Sequence, residues 1–337
     1  MNYEESLKIL EEIKKAKKIL INCHKNPDSD SVGSALAAAQ FIKFLEKEVR
    51  IICPTKINSQ LKFIENFETI EQGVDFNSVN YKDYDLFIVL DSSSWDFASK
   101  MEENNIPPIK LIVIDHHATN KRYGSINLVD KKLIAVSELL YSFFEDCGFE
   151  IDKKVASFLL VGIIGDSGVY RFPGTTAKTL EIAAELISKG VDQNEIIRNL
   201  YFSVDFEEFK FWGRVMDKMQ YDREYNFVWV AISNEIYKEF GGRKNYKEDT
   251  ATTFFQSINF SDFGIVMIEE EKGTLNVSLR SRTGLDVSQI AVELGGGGHR
   301  YATVGGIKGL KFDEAVKKVL DVARKYAKKT SKGNIRK

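Results

Sequence analysis

The run Lys18-Ile19-Leu20-Ile21-Asn22-Cys23, followed by His24-Lys25-Asn26-Pro27-Asp28-Ser29-Asp30-Ser31-Val32-Gly33-Ser34, decides the fold. A short apolar stretch reads as a buried strand, a polar loop with a proline interrupts it, and an alanine-rich helix from Ser34 to Lys47 follows. Strand, polar turn and helix in that order are the repeating half of a parallel sheet flanked by helices. The same rhythm continues outward. Tyr3, Leu7, Leu10 and Ile13 form a helical stripe before the strand, and Val49 to Cys53, Leu86 to Leu90 and Leu111 to Ile114 supply further strands. Three of these apolar runs end in polar clusters: His24 to Asp30, Asp91-Ser92-Ser93 and Asp115-His116-His117. Open α/β sheets bind ligands at the carboxyl ends of their strands, so the three clusters can converge in one crevice.

Helical patterns dominate from Ile134 to about Met219, and the amphipathic stretch Phe206 to Met219 reads as a connector out of the first domain. Beyond Asn226 the texture changes: strands at Phe227 to Ile232, Gly264 to Glu269 and Leu275 to Arg280, with helices near Asp249 to Ser257, Val287 to Leu294 and Phe312 to Lys328. The expected architecture is therefore α/β over 1–195, a mostly parallel sheet flanked by helices. A helical linker over 196–222 leads to a smaller α+β domain over 223–330, with a cleft between the two domains and a frayed tail over 331–337. A length of 337 residues suits two domains, and 43% hydrophobic content excludes disorder as the main state.

Charge narrows the partners. With 47 Lys+Arg against 49 Asp+Glu the net charge is -2, so no global basic field exists to grip a long duplex. A nucleic-acid partner should be short or locally held. The longest apolar run, Phe158 to Gly165, is far shorter than the roughly 20 residues of a membrane span. The acidic start Met1-Asn2-Tyr3-Glu4-Glu5 lacks a secretory pattern, and a cytoplasmic protein without membrane partners is expected. Cys23, Cys53 and Cys147 contain no Cys-x-x-Cys pair and read as buried free thiols.

The chemistry lies in the histidines and the carboxylates near them. After His24, Asp28 and Asp30 can turn two oxygens and a nitrogen toward metal ions; helix capping by one of them is the alternative. Asp91 and Asp115-His116-His117 close buried strands, where a carboxylate needs a cation or hydrogen bonds. Asp166 ends an apolar helix in Gly165-Asp166-Ser167-Gly168, whose glycines allow close backbone approach to a ligand. Asp28, Asp30, Asp91, Asp166, His24 and His116 together suffice for two divalent metals sharing one carboxylate. Mixed imidazole and carboxylate donors favour manganese, cobalt or zinc over magnesium. Farther on, Gly295-Gly296-Gly297-Gly298-His299 should deny the chain a regular element and free backbone N–H groups for an anion. Arg280 and Arg282 share a strand face and could reach the same phosphate.

These ordered motifs resemble the DHH phosphoesterase superfamily, and the Arg280 strand with Gly295 to His299 resembles its DHH-associated C-terminal domain. Within the superfamily, the two-domain length is similar to the bacterial nanoRNase group. The resemblance implies hydrolysis of short oligoribonucleotides of about 2–5 nucleotides to mononucleotides, and of 3′-phosphoadenosine 5′-phosphate to AMP, by a hydroxide bridging two metals. It implies that His24, Asp28 and Asp91 hold one manganese and that Asp30, Asp91, His116 and Asp166 hold the second, with Asp91 bridging. Asp115 would orient His116, and His117 would contact the scissile phosphate. Arg280, Gly295 to Gly298 and His299 would grip a terminal phosphate, while Val304 stands where the family pattern has glycine. A phosphodiesterase for cyclic or linear dinucleotide signals is the alternative within this chemistry, and a non-catalytic nucleotide sensor the alternative outside it. A homodimer is allowed.

Overall fold

The computed structural model describes residues 2–102, 104–172, 174–203, 206–242, 255, 258–259, 261–298 and 301–327. The chain divides into two compact units, Met1–Ser203 and Val204–Lys337. In the first, β1 (Lys18–Asn22), β2 (Glu48–Cys53), β3 (Ile70–Gln72), β4 (Leu86–Leu90), β5 (Leu111–Asp115) and β6 (Ile126–Val129) form one parallel sheet in the order β3-β2-β1-β4-β5-β6. The chain builds outward from β1 to one edge and then crosses to the other side. The order therefore reverses between β1 and β4, which opens a ligand crevice at their carboxyl ends.

Alternate residues of each strand serve different cores. Ile19, Ile21, Ile88, Leu90, Ile112 and Ile114 pack under α1 (Glu4–Lys15), α2 (Ser29–Phe44), α4 (Val136–Asp146) and α5 (Lys153–Asp166), and Ile182, Ala183 and Leu186 of α6 (Ala177–Ser188) join the same core. Leu20, Phe87, Val89, Leu111 and Val113 face the opposite layer, which includes Phe76, Val79 and Trp95 of the short α3 (Trp95–Ser99). Burial on both faces is why these strands read as unbroken apolar runs. The edge strands β3 and β6 lack such runs: each has a single buried residue, Ile70 and Leu128, and hence no signal in the sequence.

Helix α2 starts a turn earlier than its alanines suggest, because Asp28 caps it by accepting a hydrogen bond from the Ser31 N–H at 2.9 Å. It crosses α5 at close range. A side chain at Gly33 would overlap the Phe158 carbonyl, and one at Gly165 would overlap Ser29. The glycine beside Asp166 thus serves helix packing, which brings α2 and the end of α5 together.

Residues 196–222, expected as a connector, contain elements of both units. In α7 (Gln193–Tyr201), Ile196 packs in the first core, while Phe211, Trp212 and Val215 of α8 (Phe206–Asp217) pack with Val228, Val230 and Ile232 in the second.

The second unit holds a mixed sheet in the order β11-β12-β10-β9-β8-β7, built from β7 (Gln220–Asp222), β8 (Phe227–Ile232), β9 (Phe263–Glu271), β10 (Thr274–Ser281), β11 (Gly297–Gly298) and β12 (Ala302–Lys308). Only β8 and β9 pair in parallel. One face packs on the helices Ser288–Glu293 and Phe312–Tyr326, the other on α8 and α9 (Asn234–Glu239). The helix expected near Asp249 to Ser257 and the tail 331–337 lie outside the described residues, Phe255 excepted. Among the described residues no helix is long and apolar enough to cross a membrane.

Candidate metal centre

The carboxyl ends of β1, β4 and β5 and the end of α5 place all six proposed ligands in one cluster. Asp91 stands at its centre, 1% exposed and with a left-handed backbone at φ 51°. A non-glycine residue seldom adopts that conformation, and here it follows directly on the last residue of β4. Oδ2 of Asp91 lies 3.3 Å from His24 Nε2, and Oδ1 lies 3.5 Å from His116 Nε2. Around this axis His24 Nε2 stands 3.8 Å from Asp28 Oδ2, and His116 Nε2 stands 3.5 Å from Asp166 Oδ2. Donor atoms of His24, Asp28 and Asp91 form one group within 4.8 Å, and those of Asp30, His116 and Asp166 form a second.

The donors fit divalent ions. Ligands held at about 2.1 Å around one ion stand roughly 3.0–3.5 Å apart, the range of three of the four pairs above, with His24–Asp28 slightly wider, and longer than a good hydrogen bond. Asp91 Oδ1 is buried and has no hydrogen-bond partner, a costly state that a cation relieves. Asp166 ends α5, where the helix dipole opposes a carboxylate unless positive charge compensates.

Several ligands carry a second duty. Asp28 caps α2 through Oδ1 and faces His24 with Oδ2, so capping and ligation are not alternatives. Asp30 accepts from the Val136 N–H at 2.6 Å and from Ser137 N–H and Oγ at 3.0 and 2.5 Å, which ties α2 to the first turn of α4. His24 Nδ1 faces the Lys25 carbonyl at 2.9 Å and His116 Nδ1 the Leu133 carbonyl at 3.2 Å, leaving both Nε2 atoms turned to the cluster.

The role expected for Asp115 changes. Its Oδ1 lies 2.7 Å from His117 Nδ1, so Asp115 orients His117, while His116 is oriented by backbone. Asn120 Nδ2 donates to Asp115 Oδ2 at 2.6 Å and to the Ser92 carbonyl at 3.1 Å, which joins the loops after β4 and β5. The sequence carries no signal for Asn120. Asn22 does interrupt an apolar run, and its Oδ1 accepts from the Leu90 N–H at 2.9 Å, fixing β1 against β4 beneath the cluster.

Electrostatics without metal follow from this crowding. Burial lowers the histidines, but Asp91 and Asp28 outweigh it and raise His24 to about 9; Asp91 and Asp30 likewise raise His116 to about 10. Burial, with Asp91 beside it, raises Asp30 to about 7. Burial also works to raise Asp91, yet the two imidazoles hold it well below the usual carboxylate range. A histidine raised on folding contributes stability in full below its unfolded value, and that contribution is lost as pH rises through its folded value. The metal-free protein is therefore expected to lose thermal stability between about pH 7 and pH 10, as the raised values of His24 and His116 are crossed. Bound metal displaces those protons, so affinity should rise about tenfold per pH unit for each proton released. Thermal melts with chelator and with manganese between about pH 6.5 and 8.5 should then slope in opposite directions; parallel slopes would exclude protonated imidazoles as the resting state.

The second unit places Arg280 on β10, paired in register with Ala302. Its glycine run departs from the expected free loop. Gly295 N–H donates to the Val292 carbonyl and Gly296 N–H to the Ala291 carbonyl, closing the preceding helix, while Gly297 and Gly298 form β11 against Val304 and Thr303. A side chain at Gly296 would overlap the Val304 carbonyl, so this glycine is required by strand approach. Val304 sits in β12 with its side chain 43% exposed. His299 lies outside the described residues.

Residues 18–163 match the DHH family, N-terminal domain, and residues 250–329 match the DHHA1 domain. The chain is similar to the bifunctional oligoribonuclease and PAP phosphatase NrnA of Thermus thermophilus, 28% identical over 96% of this chain and 94% of that protein. It is 28% identical to a probable manganese-dependent inorganic pyrophosphatase of Bacillus cereus, over only 53% of this chain and 57% of the other. Among solved structures, an exopolyphosphatase-related protein from Bacteroides fragilis shares the fold with a TM-score of 0.87, at 25% identity and 95% coverage of both chains.

Proposed function

This chain belongs to the DHH family, and from that membership we propose a metal-dependent phosphoesterase that hydrolyses short oligoribonucleotides to mononucleotides and 3′-phosphoadenosine 5′-phosphate to AMP. One observation carries the metal reading: the two oxygens of Asp91 are divided between His24 and His116, the arrangement of a carboxylate shared by two ions. Similarity to an oligoribonuclease and PAP phosphatase along nearly the whole chain supports the substrate class. The likeness to a pyrophosphatase stops at about half, so it speaks for the metal chemistry and not for the substrate.

His24, Asp28 and Asp91 would hold one ion, and Asp30, Asp91, His116 and Asp166 the other. Manganese suits these donors. Two such ions supply positive charge that acidifies water and stabilises charge on a phosphoryl group. Burial lowers His117, but Asp115 and Asp91 outweigh it and raise it, so His117 would, as an imidazolium with Nδ1–H held by Asp115, donate from Nε2–H to a phosphoryl oxygen. Arg280 and His299, with Gly295 to Gly298, would take a terminal phosphate of the substrate. A cytoplasmic setting accords with three free cysteines.

A net charge of -2 offers no extended basic track, so added nucleotides should gain little binding. With manganese present, 5′-labelled RNAs of about two to twenty nucleotides should be cleaved fastest at about two to five and at least tenfold more slowly at twenty. Equal rates on the longest and shortest RNAs would sink this reading, and preference for a cyclic dinucleotide over the linear ones would favour a signal phosphodiesterase.

A further inference from the structure

One buried carboxylate of the first unit belongs to neither donor group. Glu138 lies in the first turn of α4 and is wholly buried. A carboxylate withdrawn from water is costly unless hydrogen bonds or positive charge compensate it. Here the hydrogen bonds are sparse: Oε2 accepts from the Ile134 N–H at a long 3.4 Å, and among the described residues Oε1 meets no donor in good geometry. Burial pushes this carboxyl up, while the Thr179 hydroxyl, the Ile134 N–H and the charge of His116 work against the rise.

The Ile134 N–H belongs to the same peptide group as the Leu133 carbonyl, and that carbonyl faces His116 Nδ1 at 3.2 Å. A peptide group is planar and conjugated, with its C=O and N–H on opposite edges, so His116 and Glu138 hold its two ends. A carbonyl only accepts, so His116 keeps a proton on Nδ1 and turns Nε2 to Asp91 and Asp166. An anion at the N–H edge polarises the peptide toward its carbonyl oxygen. That strengthens the bond to His116 Nδ1–H and makes Nε2 a better donor to a cation. The same turn serves Asp30 through Val136 and Ser137. Three successive residues of α4 thus address two members of one donor group, Asp30 and His116.

We propose that Glu138 is a positioning residue for the second metal, acting on His116 through the Leu133–Ile134 peptide. This rests on the assignment of Asp30, Asp91, His116 and Asp166 to one ion. The rival role is a helix cap. Ala135 offers α4 no side-chain cap, and a glutamate at the third helical position reaches back over the helix start. Glutamine serves such a cap as well as glutamate does, but carries no charge. Glu138→Gln therefore separates the two roles.

Equilibrium dialysis of manganese against the full chain measures the difference. His116→Ala identifies the ion that depends on that imidazole. In Glu138→Gln this same ion should bind about five- to tenfold less tightly, the other ion should bind as in the wild type, and the melt in chelator should stay cooperative. In a His116→Ala background the exchange should add less than about twofold. Equal weakening of both ions, or an undiminished loss with His116 absent, would mean a charge felt through space and would overturn the peptide route. Loss of the cooperative melt would make Glu138 a structural residue and overturn it as well. If His116→Ala weakens no ion, the metal assignment itself fails and takes the proposal with it. A normal His116→Ala effect beside wild-type binding in Glu138→Gln would leave the assignment standing and remove Glu138 alone.

Discussion

Asp91→Asn is expected to reduce turnover by about a thousandfold or more at saturating manganese while the fold survives. Both oxygens of Asp91 face imidazoles in different donor groups, so an amide, which offers one weak oxygen and a pair of donors, cannot serve two ions. Asparagine is the informative replacement because Asp91 has φ 51°, a conformation asparagine tolerates and alanine does not. Four clustered carboxylates suggest from sequence that removing one relieves repulsion. The structure reverses this, since Asp91 is the counter-charge for His24 and His116. Without metal, the variant should therefore melt at a lower temperature than the wild type, and both imidazoles should titrate lower. Metal content by equilibrium dialysis should fall below that of the wild type. Retention of more than about a tenth of the turnover would remove Asp91 from the bridging position.

The cluster was legible because His24, Asp91 and His116 follow buried strands, while Asp28, Asp30 and Asp166 sit at the ends of helices. A carboxylate after Phe87-Ile88-Val89-Leu90 has no structural reason to be there, and the same logic found Asp115 and His116 after β5. What sequence could not resolve was orientation. Asp115 is the last residue of β5 and wholly buried, while His116 and His117 follow off the strand; which ring meets it depends on how the chain turns, and Asn120, five residues on, fixes that turn. The glycine run misled for a related reason. Glycine advertises backbone freedom, yet at Gly295 and Gly296 that freedom closes a helix, and at Gly297 and Gly298 it lets two strands meet. The strand they meet, β12, contains Gly305 and Gly306 and an exposed Val304, a composition that reads as loop. Likewise α8 reads as a linker by its place between domains, although its buried face belongs to the second core.

His117→Ala is expected to keep both donor groups competent for metal and to lower kcat by about 100-fold to 10,000-fold with little change in KM. The adjacent histidines differ in which nitrogen is spent. His116 gives Nδ1 to the Leu133 carbonyl and turns Nε2 to Asp91 and Asp166, whereas His117 gives Nδ1 to Asp115 and so does not offer it to a metal, although it lies 3.7 Å from Asp91 Oδ1. His116→Ala should therefore raise the manganese concentration needed for activity, and His117→Ala should not. Asp115→Ala should resemble His117→Ala, because with Asp115 gone the ring keeps its contacts with Phe97 and His116 but loses the hydrogen bond that fixes its Nδ1, so Nε2 is no longer held toward the phosphate. If Asp115 acts through His117, the two losses do not add: once His117 is absent, removing Asp115 should cost less than about threefold more in kcat. A double variant whose loss equals the product of the single losses would separate the two residues. A loss of bound manganese in His117→Ala would make His117 a ligand, and the donor group of Asp91, His116 and His117 would then replace the assignment in which Asp115 holds His117 for the substrate.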